Sequence, residues 1–465
     1  MCVLRGSRSV KIALFHNLPA GGAKRALFEH ARHLRERGHT LDGYVLSTAN
    51  EEFLPLAPLC RQVYTYDLPP ALQPSRLAQR LIYHGLTRPL WRLVGSAAHQ
   101  TAQDYLAFHH QRLLLDTLEA VYTRIARDID AKGYDWVYVH HCRLLLSSFL
   151  LRQLETPTVY FCQDTLRAAA EWSWDPPSGV TPSDQDALPE TFWLRNFQGR
   201  RMTRAAHACL REVDRRNTAN ARSADLVLAN SWYSSEAILR AMGVNTRLCY
   251  LGVDSDFFCP EEHTPGEKRV LSVGTFHPAK GHEFVLEAVA MIPEVRRPAL
   301  HVIGHDIEVS KQGGATYARV LHQRAQTLGV TLTVSHEVSD EALRQAYRNA
   351  ACVAVAPYLE PFGLIPLEAM ACQTPVVGVS EGGVRETVQH GVTGLLTERD
   401  PEAFSAALER VLSDTRLARM LGENGRATVR SLWTWPRSTS TLENLASQLL
   451  NGAKTPIATT TAAAA

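Results

Sequence analysis

Short apolar runs alternate along the chain with longer stretches whose apolar positions recur at helical spacing, and this alternation predicts parallel α/β layers. "VKIALF" (10–15) predicts a strand, Gly21-Gly22 a tight turn, and "AKRALFEHARHLRERG" an amphipathic helix stopped by Gly38. "TLDGYVLS", "YDWVYVHH", "TPTVYF" and "ADLVLANS" predict further strands of the same sheet. Two helical stretches, about residues 73–132 and 188–222, are longer than crossover connections need. The turn-rich "YLGVDSDFFCPEEHTPGEK" closes this series, and the pattern then restarts. "KRVLSVG", "PALHVIG", "VTLTVS", "AACVAVAP" and "TPVVGVS" predict five more strands separated by helices. The expected fold class is α/β, with two Rossmann-like doubly wound domains, 1–255 and 256–432, facing each other across a cleft. A helix over 433–452 is expected to return to the first domain, and the low-complexity tail 453–465 to be disordered.

A chain of 465 residues, 45% hydrophobic and 21% charged, has the composition of a soluble globular protein of two domains. No stretch approaches 18 consecutive apolar residues, so no membrane-spanning helix is expected, and the N-terminus has no signal-peptide core. The nine cysteines contain no C-x-x-C pair and read as small apolar residues in a reducing compartment. That points to the cytoplasm. The net charge of +2 conceals an asymmetry: 30 Lys+Arg face 24 Asp+Glu in residues 1–255, leaving 19 against 23 in the remainder. The basic first half suits an anionic surface or acceptor, and its excess is too small for a nucleic-acid partner. There is no G-x-G-x-x-G and no G-x-x-x-x-G-K-[ST], so dinucleotide and ATP chemistry have little support.

Chemistry concentrates in "YLEPFGLIPLEAMACQTPVV" (358–377), where Glu360 and Glu368 stand eight residues apart in an apolar run. The preceding strand ends near Pro357, so Glu360 falls on a loop and a helix is expected to begin around Phe362-Gly363. A helix start offers unpaired N–H groups and partial positive charge, a seat for a diphosphate. Gly363 lets a ligand approach the backbone. Glu368 lies about five residues up the helix, roughly 7–8 Å along its axis. A diphosphate at the helix start would have its sugar near Glu360 and its ribose near Glu368, an arrangement that suits a nucleotide sugar. In "VLSVGTFHPAKGHEFVLEAV", Lys280 follows a strand and the Gly274 turn, placed to neutralise the same diphosphate. Gly382-Gly383 follow another strand, where backbone amides meet phosphate. Gly21-Gly22 occupy the turn facing the cleft from the other side.

Together with "ADLVLANSWYSSEAIL" and "LGVDSDFF", taken in order, these segments make the chain resemble the retaining glycosyltransferases of family 4, which have the GT-B fold. Its E-x7-E signature is matched by "EPFGLIPLEAMACQTPVV". The resemblance implies sugar transfer from a UDP- or GDP-linked donor with retention at the anomeric carbon. It implies Glu360 and Lys280 as catalytic candidates, with Glu368, Phe362, Gly363, Leu364, Gly274, Thr275, Gly382 and Gly383 on the donor. Gly21, Gly22, Gln163, Asp164, His140 and His141 would lie on the acceptor side. No metal or cofactor is expected, because helix N-termini and basic side chains would stabilise the leaving diphosphate.

The chain departs from the family's pattern at two places. Thr275 stands where Arg usually follows the glycine, and Gln163-Asp164 where a His is common. His140 and His141, at the end of the preceding strand, take either a catalytic or acceptor role or a structural one. A nucleotide-sugar epimerase, a phosphorylase and a non-catalytic sugar-nucleotide binder remain alternative readings. The acceptor is a hydroxyl on a sugar, a lipid-linked glycan or another molecule. "QPSRLAQRLIYHGLTRPLWRLVGSAAHQ" carries Arg76, Arg80, Arg88 and Arg92 with no acidic residue. It reads either as a basic amphipathic segment lying on the inner face of an anionic membrane or as part of a helical cap over the cleft.

Overall fold

The computed structural model describes residues 9–68, 96–142, 145–163, 204–261, 269–305 and 317–452. Among them, two wholly parallel sheets form the frame. The first orders its seven strands β3-β2-β1-β4-β5-β6-β7. These are β1 (Lys11–Asn17), β2 (Thr40–Leu46), β3 (Gln62–Tyr66), β4 (Trp136–Cys142), β5 (Thr158–Cys162), β6 (Leu226–Ala229) and β7 (Arg247–Leu248). The second has the order β10-β9-β8-β11-β12-β13. It comprises β8 (Arg269–Val273), β9 (Ala299–Gly304), β10 (Leu332–His336), β11 (Cys352–Val355), β12 (Val376–Val379) and β13 (Leu395–Thr397). The central strands β1, β4, β5, β8 and β11 are buried almost throughout, as strands covered on both faces must be. Strands β3, β7 and β13 were not predicted. β3 and β7 lack the continuous apolar run that a covered strand shows. β13 has only three residues.

Helices of the first domain are α1 (Gly22–Glu36), α2 (Ser96–Asp130), α3 (Leu150–Gln153), α4 (Arg204–Arg222) and α5 (Trp232–Met242). The second domain adds α6 (His282–Met291), α7 (Tyr317–Leu328), α8 (Asp340–Asn349), α9 (Leu364–Ala371) and α10 (Val384–Thr387). It ends with α11 (Pro401–Ser413) and α12 (Thr415–Leu432), before α13 (Trp435–Leu450). Side-chain caps begin several of them: Ser231 accepts from Ser234 N, and Asp414 from Leu417 N. The helical stretches read over 73–132 and 188–222 appear as α2 and α4 where they are described. Among the described residues, no helix is long and apolar enough to cross a membrane.

The chain crosses between domains twice at one place. Val253 pairs with Thr434, and a Cβ on Gly252 would lie 2.3 Å from Trp435 N. After the second crossing α13 packs on α1. His30 joins Tyr138 Oη and Ser438 Oγ, each at 2.8 Å, and Glu443 accepts from Arg37 and bonds His39 at 2.6 Å. Leu442, Leu445 and Ala446 supply the apolar side of that contact, each large one contributing about 1.5–3 kcal/mol by burial. One apolar cluster, including Phe362, Trp433 and Trp435, runs through both domains.

Candidate functional site

In each sheet the strand order reverses between neighbours whose connections leave in opposite directions: β1 and β4 in the first, β8 and β11 in the second. Ligands of doubly wound sheets bind outside the carboxyl ends of such strands. Lys280 and Glu360 follow β8 and β11, while His16 and His140 end β1 and β4.

The β8 loop is built around close approaches. A Cβ on Gly274 would press on the Lys280 stem at 3.2 Å, so glycine makes room for that side chain. Thr275 opens the loop, its carbonyl accepting from His277 N. A 3-10 turn, Pro278–Lys280, ends at Gly281, whose φ is +71° and whose Cβ would lie 1.9 Å from the Ala356 carbonyl oxygen. Only glycine fits there. This contact, with Tyr358 N donating to the Ala279 carbonyl at 2.8 Å, brings Lys280 Nζ to 2.8 Å from Glu360 Oε2.

The Glu360 loop is fixed as tightly. Arg399 donates to the carbonyls of Ala356 and Pro357, forks onto Glu381, and lies 3.7 Å over the Tyr358 ring. Leu359 has φ +49°. Gly383 N donates to the Glu360 carbonyl at 2.7 Å, and a Cβ on Gly382 would meet that oxygen at 2.4 Å. These two glycines therefore serve the loop's backbone.

Helix α9 begins at Leu364, slightly later than predicted, because Gly363 at φ +101° is its N-cap and no side chain caps it. Phe362, expected on the donor, has its ring buried against Tyr250 and Trp433. Its side chain belongs to the core between domains, a correction to the sequence reading. Glu368 is buried and accepts from Tyr347 Oη at 2.8 Å. Burial pushes its carboxyl up, and nearby Arg25 and Tyr347 pull it back.

Across the cleft, Gly22 abuts α9, since a Cβ there would lie 3.4 Å from Leu364 Cδ1. Arg25, one turn on, reaches both carboxylate oxygens of Asp340 at 3.0 Å. Gln163 Nε2 is 3.1 Å from His140 Nδ1, and its carbonyl accepts from Asn230. Burial holds His140 well below the usual imidazole range and His141 at about 4, so both are neutral near pH 7. Asp164 lies outside the described residues.

Sequence reading missed the cluster His16, Lys24 and Glu51. Lys24 and His16 are fully buried, His16 Nε2 lies 2.8 Å from Glu51, and Lys24 bonds both. Burial opposes ionisation of Glu51, yet hydrogen bonds from His16 and Lys24 hold it at about 2. The polar end of "KIALFHN" was the one local signal. Arg25, Asp340, Glu386 and Arg399 were also missed.

Residues 255–428 match the family described as glycosyl transferases group 1. The chain carries a glycosyl transferases group 1 domain. All the candidates of the β8 and β11 loops lie within it. A D-inositol 3-phosphate glycosyltransferase of Geodermatophilus obscurus is 33% identical over 239 residues, 47% of this chain and 51% of that protein. Human alpha-1,3/1,6-mannosyltransferase ALG2 is 37% identical over 123 residues, 26% of this chain and 30% of that one. The chain thus spans about half the length, or less, of these curated relatives. Among solved structures, the sucrose-phosphate synthase of Thermosynechococcus elongatus superposes with TM-score 0.65 at 23% identity, covering 96% of this chain and all of that one. Anabaena HepE, solved with UDP and glucose, gives 0.63 at 18% identity over 94% and 99%. These likenesses show the fold: the group 1 domain is one half of a GT-B pair.

Proposed function

We propose that this protein transfers a sugar from a nucleotide-sugar donor to an acceptor hydroxyl, with retention at the anomeric carbon and without a metal ion. The observation carrying this reading is the Lys280–Glu360 pair at the carboxyl ends of β8 and β11, beside the uncapped start of α9 and opposite Gly22. Amides of Gly363 and Leu364 offer donors to the diphosphate, and Lys280 offers a mobile positive charge. Glu368, one turn up α9, suits the ribose hydroxyls. The acceptor oxygen attacks the anomeric carbon on the face the diphosphate leaves. The bond to the phosphate oxygen breaks, and that oxygen takes the acceptor's proton. The D-inositol 3-phosphate glycosyltransferase and the HepE complex with UDP and glucose support a nucleotide sugar and a polar hydroxyl acceptor.

Glu368→Ala is expected to weaken donor binding, whereas Glu360→Ala lowers turnover at saturating donor. Losing a buried hydrogen bond to a carboxylate costs about 1.5–3 kcal/mol, or roughly 10–150-fold. Donor titration by calorimetry and steady-state assays across a panel of UDP- and GDP-sugars separate the two effects. Wild-type kcat and KM in both variants would remove the site assignment. Donor turnover without acceptor would favour an epimerase.

We also propose a peripheral contact with anionic membrane through Arg76, Arg80, Arg88 and Arg92, which lie outside the described residues. Each Arg near such a surface contributes about 1 kcal/mol, so replacing all four with Gln is expected to abolish co-sedimentation with anionic liposomes at low salt. Equal sedimentation of both proteins, or none of either, rejects this contact.

A further inference from the structure

The loop that carries Glu360 is gripped from the opposite domain. Ser231, at the start of α5, donates to the Pro361 carbonyl at 2.5 Å, and Ser234 donates to the same oxygen at 3.2 Å. Both serines are buried. The start of α5 is itself moored to the second domain, because Glu386 accepts from Trp232 N, Tyr233 N and Tyr250 Oη, each at 2.9 Å. On its other side the loop meets Gly383, which donates to the Glu360 carbonyl, and Gly382, which leaves no space for a Cβ. Leu359 holds a left-handed conformation that persists only when its surroundings over-determine it. The peptide units flanking Glu360 are thus clamped between two glycines of one domain and two hydroxyls of the other.

We propose that Ser231 and Ser234, moored by Glu386, are positioning residues for the transfer: they hold Glu360 at its Lys280 partner only while the two domains are docked. This rests on the transfer reading above, with Glu360 near the donor sugar. Both serines bond the loop's backbone at Pro361, so their effect is expected on turnover more than on donor affinity. The hydroxyls donate to a carbonyl, so threonine at 231 keeps the bond and alanine loses it.

The test compares wild type, the Ser231→Ala/Ser234→Ala double variant, Ser231→Thr, and Asp414→Ala. The last removes a helix cap of the same kind from α12 and controls for general destabilisation. Amide hydrogen exchange of residues 358–360 and 362–364 and of Gly383, read without donor, is expected to quicken at least tenfold in the double variant alone. Its kcat is expected to fall at least tenfold with donor Kd within threefold, and Ser231→Thr to stay within threefold of wild type. Unchanged exchange in the double variant overturns the proposal whether or not transfer is found. Faster exchange with unchanged kcat, or equal quickening in Asp414→Ala, also overturns it. Absence of transfer by the wild type counts against the function and leaves the exchange result to judge the clamp.

Discussion

Lys280→Ala is expected to lower turnover by about 10²–10³-fold, the loss typical of removing one preorganised donor from developing charge in a water-poor site. That corresponds to about 2.7–4 kcal/mol of transition-state stabilisation. In the proposed transfer, the charge that grows sits on the departing diphosphate. Lys280 bonds Glu360 at the switch between β8 and β11. Gly274 shapes the space for its stem, and Gly281 fixes the turn that aims it. Arginine carries a broad planar guanidinium on a stem one methylene shorter, so Lys280→Arg keeps the charge without the compact ammonium and is expected to rescue only in part. Donor affinity falls less than turnover, since the amides at the start of α9 remain. Single-turnover rates at saturating donor are the measurement. A Lys280→Ala rate within threefold of wild type would falsify the assignment.

Stability is expected to fall steeply as pH drops from about 6.5 to 4. His16, His30 and His282 are fully buried, and burial lowers them to about 4, 3 and 4 from the ordinary 6.5. A base whose folded pKa lies below its unfolded one adds stability that is complete above pH 6.5. That stability is lost as the pH falls through 6.5 towards the folded value, where the unfolded chain binds more protons. At pH 5 each histidine has given up about 2 kcal/mol, at 1.36 kcal/mol per pH unit. Three together approach the 5–15 kcal/mol that holds a typical protein folded. Glu51, held at about 2 by His16 and Lys24, pushes the same way below pH 4.5. Glu368 opposes the trend, since burial raises it and it gains a proton readily, but it is one group against several. Urea titrations at half-unit steps from pH 7.5 to 4.5 read the slope, which His30→Gln is expected to flatten in part, since His140 and His141 are held down in the same way. A midpoint that stays constant down to pH 4.5 would show that these imidazoles are not held neutral.

The central strands were legible because a parallel strand covered on both faces must be apolar along its whole length, as "VKIALF" and "AACVAVAP" are. β3 and β7 escaped because an edge strand shows no such run. The placement of Glu360, Glu368 and Lys280 after a strand end, a turn and a helix start was legible through local spacing, because those features are contiguous in sequence. Arg25 and Glu386 were not. Arg25 stands in a helix with several other arginines, and its partner Asp340 is 315 residues away. Glu386 reads as an ordinary helix glutamate, yet it accepts from backbone amides about 150 residues distant. Charges that act between domains carry no short-range pattern, because their meaning depends on a surface that neighbouring residues do not build. Phe362 misled for the same reason. It stands next to Glu360 and the start of α9 in sequence, while its ring faces the other domain.

The paired crossing at Val253 and Thr434 has a mechanical consequence. A single linker would leave two bodies free to swing, twist and slide. Two strands of chain passing side by side, with Gly252 against the Trp435 amide, tie the bodies together at two points of the chain in place of one. Helix α13 then acts as a tether, because it follows the second domain in sequence but is bonded to α1 of the first. The same anchoring fixes where the two bodies meet, with Gly22 against Leu364 and Arg25 against Asp340.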